Sequence, residues 1–376
     1  MTRGNQVITI NQNEVFAKTA QPWIKDRTLF LTVHGSHAYG LNTETSDIDV
    51  KGFLVAPKST YLGFSKTFEQ IEGKDPYDMV VYELRKFFKL AAECNPNIIE
   101  VLHTDPSKWI KITSLGQKVV DNKDAFLSLK AKHTFSGYAV AQLKRINTHR
   151  KWLLDPPRSK PERKDFGLPE TTIVPADQLG AAEAEIQKKI ESWDFNWSGL
   201  DPGQKIEIQG SVSKMFAELN LSSDETWFRA GRLIGFDDNF LEFLKKNRAY
   251  SAKLAEWTQY QSWLVTRNPK RAALEKKYLY DLKHGSHLVR LLKMAKEIVT
   301  TGKVIVERKE DREELLAIKN NGIWSYEQLI DWATKQDQEI TEAYKVSTVL
   351  PKEPPREFLD NLCQDIIQES LDREIL

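Results

Sequence analysis

Apolar residues come in short, β-rich runs over the first hundred or so positions of the chain and recur at helical spacing after about residue 120. Short runs bounded by polar turns predict strands; recurrence at three and four predicts amphipathic helices. Thr28–Val33 is such a run, closed by Gly35, and predicts a buried strand. Ile48–Val55, Thr67–Ile71 and Tyr77–Tyr82 predict three more, the last leading directly into a helix over Leu84–Ala92. A helix over Glu14–Lys25 precedes them.

Further on, Phe126–Leu154 predicts one long helix or a broken pair. Asp155–Pro175 is rich in proline and charge and reads as a loop or insert. Helices are predicted over Ala181–Ser192, Lys205–Leu219, Asn239–Leu264, Arg271–Thr300, Tyr326–Tyr344 and Asp360–Leu371, with a minor strand at Lys303–Val306. The expected fold class is α+β. A small mixed-sheet domain over residues 1–120 would be followed by a mostly helical domain over residues 121–376 that closes a cleft.

Composition adds limits. With 376 residues and 40% hydrophobic content, two cores are affordable. The 54 basic and 53 acidic residues leave a formal charge of +1, so any binding of nucleic acid must be local. Cys94 and Cys363 stand far apart and predict neither a disulfide framework nor a zinc site. Met1–Asn13 is polar and no apolar run reaches membrane length, so a soluble cytoplasmic protein is expected.

The chemistry concentrates between Val33 and Val50. A strand ends at Gly35, where the missing Cβ lets backbone amides approach phosphate oxygens, and Ser36 adds a hydroxyl. After a polar spacer come Asp47 and Asp49, two apart and therefore on one strand face, with Ile48 and Val50 on the other. Two neighbouring carboxylates repel and call for a cation; Mg²⁺, or Mn²⁺, suits hard oxygen ligands that also meet substrate phosphates. Taken singly, Gly35-Ser36 is an ordinary turn and Asp47/Asp49 a solvated strand edge; together they point to phosphoryl chemistry. Ser46 reads as a turn cap, Gly40 and Gly52 as backbone devices.

The glycine-serine pair, the spacer and the aspartate pair resemble the signature of the polymerase-β-like nucleotidyltransferase superfamily. Residues 35–52 (GSHAYGLNTETSDIDVKG) are similar to its phage and bacterial branch associated with RNA repair. So are residues 77–102, 135–146, 267–271 (RNPKR), 280–298 and 311–322. His34 departs from the apolar residue usual before the glycine. The resemblance implies a third carboxylate, for which Asp75, Asp78 and Glu83 are available; it favours Asp78 and leaves Glu83 as a helix-start residue. Catalytic and metal-holding roles then fall to Asp47, Asp49 and Asp78, with NTP as substrate gripped at Gly35 and Ser36.

Lys283, His287 and Arg290 share a helix face, which is either a solvated rim or, as the resemblance suggests, a cationic cover for the triphosphate. His284 and His287 suggest a metal but lack a third ligand. Lys144, Arg145, Arg150 and Lys151, beside Tyr138 and Trp152, form a candidate RNA track, continued by Arg158, Lys160, Arg163, Lys164, Arg267, Lys270 and Arg271. Most of the tryptophans among residues 193–324 read as helical core. The implied reaction moves a nucleotide to an acceptor hydroxyl, an RNA or tRNA end, with pyrophosphate released. A protein acceptor, as in AMPylation by antitoxin-like relatives, and a catalytically silent RNA-binding scaffold are the alternatives.

Overall fold

The computed structural model describes residues 10–373 apart from 20, 45, 65–66, 173 and 194–222. The helix expected over Lys205–Leu219 and Trp197 lie outside the described residues, as do the side chains of Trp193, Lys270 and Arg271. An N-terminal mixed β-sheet domain is followed by a largely helical C-terminal region.

Five strands form the sheet: β1 (Thr28–His34), β2 (Asp49–Leu54), β3 (Gln70–Gly73), β4 (Asp78–Glu83) and β5 (Trp109–Ile112), in the order β3-β4-β2-β1-β5. β2 and β4 run parallel; the other neighbours are antiparallel. Alternation along β2 explains its two faces. Val50 and Leu54 join a cluster with Leu31, Met79 and Val81. Phe53 joins Phe30, Phe87 and the helical core on the other side. Asp49 and Lys51 share the parity of Phe53, so they face the helices, and in the parallel register Asp78 and Val80 face the same way.

Those helices include α5 (Leu84–Ala92), α6 (Pro96–Leu102), α8 (Lys130–Leu154) and α13 (Leu282–Thr301), counting every described helix along the chain. α5 begins where Glu83 accepts hydrogen bonds from the Arg85 and Lys86 amides. α6 begins at Asn95, with proline at its first position. α13 buries Leu288, Leu291, Leu292 and Ile298 along one stripe.

Several expected elements shift. The helix expected over Glu14–Lys25 forms as two short pieces, Gln12–Val15 and Trp23–Arg27. β3 starts at Gln70, later than expected, and Lys303–Val306 forms no strand. The helix expected over Arg271–Thr300 is interrupted: Pro269–Tyr278 ends before Leu279, whose φ is 63°. α13 then starts afresh at Asp281, whose side chain accepts the His284 amide.

The chain divides into two compact units, Met1–Leu153 with Ala273–Leu376, and Leu154–Ala272. The second unit has its own core of Leu179, Ile186, Trp227, Leu241 and Leu244. Among the described residues, no helix is long and apolar enough to cross a membrane.

Candidate active site

Parallel pairing of β2 with β4 sets Asp49 directly beside Asp78. Asp49 is half-buried; Asp78 is exposed at the start of its strand, and Asp47 is exposed just ahead of β2 rather than within it. The repulsion expected of such a set is visible in Asp49. Burial, and then Asp78, push its carboxyl above the ordinary range, with Asp47 adding to the rise and Lys51 and Lys283 opposing it.

Gly35 fits against this group. Its φ is 63°, in the region that penalises a side chain, and a Cβ there would lie 1.7 Å from Asp49 Oδ2. The glycine therefore lets the strand-end backbone and the Asp49 carboxylate occupy neighbouring space. Ser36, half-buried, follows in a one-turn helix, Gly35–Ala38. The spacer is folded back on itself: Ser46 Oγ accepts the Thr43 amide at 2.9 Å, and the His37 ring lies 3.3 Å from the Ser46 carbonyl. Asp78 is the in-register neighbour of Asp49 and Asp47 bears on it through charge, but among the described residues the three carboxylates do not bring their oxygens within 4.8 Å of one another. They share the hard-oxygen chemistry that Mg²⁺ or Mn²⁺ takes.

Of the remaining carboxylates, Glu83 caps α5 and accepts from Tyr61 Oη at 2.7 Å. Asp75 is exposed and pairs with Lys18. Neither stands in register with Asp49.

The expected cationic face of α13 is distributed over depth. Lys283 is exposed on the first turn, and its charge bears on Asp49. His287 is held down to about 3 by burial, with Arg290 reinforcing the effect, and is a neutral imidazole at pH 7. Arg290 does not reach the surface: it is 2% exposed, donates to Glu100 Oε1 at 2.6 Å and stacks its guanidinium 3.7 Å from the centre of the Tyr39 ring. Its charge is matched inside the core.

Glu100 is the hub of this buried network. Tyr39 Oη donates to its other oxygen at 2.6 Å, and His34 Nε2 lies 3.5 Å from that oxygen. Burial alone would raise the Glu100 carboxyl, but Arg290, His34 and Tyr39 together hold it well below the usual range. His34 itself is pushed down to about 4, first by burial and then by Lys51. The histidine before Gly35 is thus a neutral core ring, and it pairs across the sheet with Asp49. Lys51, lowered by burial, sits between Glu100, Asp49 and Asp78 in charge terms and donates to Asn97 Oδ1 at 3.3 Å. Sequence reasoning missed Lys51, Tyr39 and Glu100; only Lys51 carried a signal, its two-residue spacing from Asp49.

The basic track is also uneven. Lys144 and Arg145 are exposed on α8. Arg150 donates to Glu327 and to the Leu279 carbonyl and lies 4.1 Å over Tyr326. Trp152 is 4% exposed and so presents no open ring for a base to stack on, and Tyr138 is half-buried against the helical core with its Oη accepting from Asn95.

No solved structure matches the chain. A stretch of 127 residues is 31% identical to an uncharacterized 38.9 kDa protein of the nrdC-mobD intergenic region of Enterobacteria phage T4. That match covers 31% of this chain and 38% of the phage protein. The segment that builds the sheet, the glycine and all three aspartates, residues 8–154, matches RlaP, the family described as the RNA repair pathway DNA polymerase beta family.

Proposed function

We propose that the protein is a divalent-metal-dependent nucleotidyltransferase that joins a nucleotide from NTP to the hydroxyl of an RNA end. The observation that carries this reading is the in-register pairing of Asp49 with Asp78, with an Asp49 oxygen set against Cβ-free Gly35. Asp47, Asp49 and Asp78 would hold Mg²⁺ or Mn²⁺. When bound, the ion supplies charge neutralisation for the triphosphate and for the attacking oxygen.

The protein's own groups do the rest. Backbone amides at Gly35 and the Ser36 hydroxyl bind phosphate oxygens, and Lys283 adds a positive charge to the same region. Asp78, exposed at the mouth of β4, takes the acceptor hydroxyl's side of the site. The hydroxyl gives its proton to the Asp78 carboxylate or to solvent, its oxygen bonds to the α-phosphorus, the α–β phosphoanhydride bond breaks, and pyrophosphate leaves. Arg290, Glu100, Tyr39 and His34 act behind this surface by fixing the end of β1, not by touching phosphate. RNA as acceptor rests on the family description of residues 8–154.

The test is incubation with each α-labelled NTP, Mg²⁺ and a mixed pool of cellular RNA and protein. Label entering RNA, abolished by Asp49→Asn, is the expected result. Label confined to protein would move the acceptor to a side chain, and absence of label with every NTP in both pools would overturn the enzymatic reading.

A further inference from the structure

Among the described residues, a metal-ligand set made of residues other than the aspartates stands at the start of α13. His149, Asp281 and His284 each bring a ligand atom within 4.8 Å of the others. In the sequence His284 and His287 suggest a metal but lack a third ligand; the structure groups His284 with Asp281, the cap of its own helix, and with His149 of α8. We infer that these three side chains bind one divalent transition ion of the zinc type.

The geometry is suited to such an ion. His284 Nε2 lies 3.5 Å from Asp281 Oδ2, and His149 Nδ1 lies 3.9 Å from the same oxygen. Charged hydrogen bonds run at about 2.7–2.9 Å. Ligand atoms around a tetrahedral zinc with bonds of about 2.0–2.2 Å stand about 3.3–3.5 Å apart. The two separations to Asp281, 3.5 and 3.9 Å, are close to that spacing, and the two rings lie within 4.8 Å of each other by their ligand atoms. Two imidazoles with one carboxylate is also a ligand chemistry that discriminates against Mg²⁺, which prefers oxygen throughout.

The supporting residues hold the ligands in the required form. The Gln142 side-chain oxygen lies 2.7 Å from His284 Nδ1. An amide oxygen can only accept, so the proton sits on Nδ1 and the Nε2 lone pair is turned toward Asp281. Gln142 and His149 are seven residues apart on α8, two turns along one face. Asp281 Oδ1 accepts the His284 amide at 3.1 Å, which fixes the carboxylate, and its Oδ2 faces both rings. His149 stacks on Trp152, ring centroids 5.6 Å apart. Asp281 is buried while the imidazoles retain 18% and 19% of their exposure, so the rings can be reached from solvent.

An ion here would tie α8 to the first turn of α13, the turn that carries Lys283. Its role would be to set the position of that lysine, separately from the ion proposed at the aspartates.

The experiment uses the full chain, stripped with a chelator, and titrates it with Zn²⁺ and, in parallel, Mg²⁺. One Zn²⁺ per chain is expected, with a melting temperature that rises with Zn²⁺ concentration. His149→Ala and His284→Gln should weaken zinc binding at least about 100-fold, and Gln142→Leu about 10–100-fold. Asp49→Asn should keep the zinc, so failure here and failure of the nucleotidyltransferase reading are distinguishable. If His284→Gln does not fold, His149→Ala and the visible spectrum of the Co²⁺-loaded wild type carry the test; a strong tetrahedral absorption lost in His149→Ala supports the site. Wild-type protein that takes up no stoichiometric Zn²⁺, or variants that bind it equally well, would overturn it.

Discussion

Asp49 shows how one carboxylate can serve chemistry at a cost to the fold. Its pKa is raised in the folded state, so the folded protein holds the proton more tightly than the unfolded chain does. Stability therefore falls as pH rises from the unfolded pKa through the folded one, a penalty that comes with ionisation of the carboxyl. Asp49→Asn removes that penalty. The expected outcome is a melting temperature at pH 7, measured without metal, equal to or above the wild type, together with loss of nucleotidyl transfer. Activity near wild type in a folded Asp49→Asn protein would sink the site. Gly35 is the companion test. Alanine there would bring Cβ to 1.7 Å from Asp49 Oδ2 at a φ of 63°. The left-handed conformation alone costs about 1–2 kcal/mol. Gly35→Ala should lower stability by about that much and transfer by far more, because the carboxylate must move. Comparable losses in melting and turnover would make the glycine a fold device only. That Gly35 and Asp49 lie close together was legible in the strand–turn–strand pattern, whereas the place of Asp78 beside Asp49 follows from a parallel register that the sequence does not show. Asp47 was legible as a neighbour but not as a residue lying ahead of the strand, since the spacer's folding through Ser46 and His37 leaves no periodic trace.

Elements formed where pattern and packing agree. β1 was readable as a nearly continuous buried run, and β2 and β4 by the alternation of buried and half-buried positions, all three in the middle of the sheet. β5 was not, because it is four residues long, half-buried throughout and lies at an edge, where neither face needs a complete apolar set. The break before α13 escaped notice because Leu279 carries no local turn signal; the Asp281 cap, which does, was read as helix interior. The tie between α6 and α13, Glu100 with Arg290, was unreadable for another reason. The two charges are 190 residues apart, and each alone looks like a solvated helix position. Breaking one side of a buried pair leaves the other charge stranded, at about 3–5 kcal/mol. Glu100→Gln should cost that much in urea unfolding at pH 7. The folded pKa of Glu100 is depressed, so its contribution is present above the unfolded value, about 4.3, and is lost as pH falls through the folded value. The gap between wild type and Glu100→Gln should accordingly narrow below about pH 4. A gap that does not change with pH would mean that Arg290 is not held by the Glu100 charge.

For the molecule as a whole, a formal charge of +1 means that long-range attraction cannot bring RNA to the site. Holding an RNA end has to rest on a few cations with nothing else to bind. Arg150 is a poor choice, because Glu327, the Leu279 carbonyl and the Tyr326 ring already engage it. Lys144 and Arg145 are exposed on α8 and are better ones. If they neutralise phosphates, RNA affinity should fall with salt at a log–log slope of roughly −0.7 per contacted phosphate on a single strand. The double variant Lys144→Glu/Arg145→Glu should weaken RNA binding and flatten that slope by about two such increments, about 1.4. NTP affinity should stay within error, because neither residue figures among the charges that bear on Asp49. Arg150→Glu should behave differently: it removes a packed guanidinium, so it should lower the melting temperature more than it alters the salt slope. Fluorescence anisotropy with a short labelled RNA across a salt series, beside thermal melts of the same samples, separates the two effects. An unchanged slope in the double variant would remove α8 from the RNA-binding surface while leaving the carboxylate site untouched.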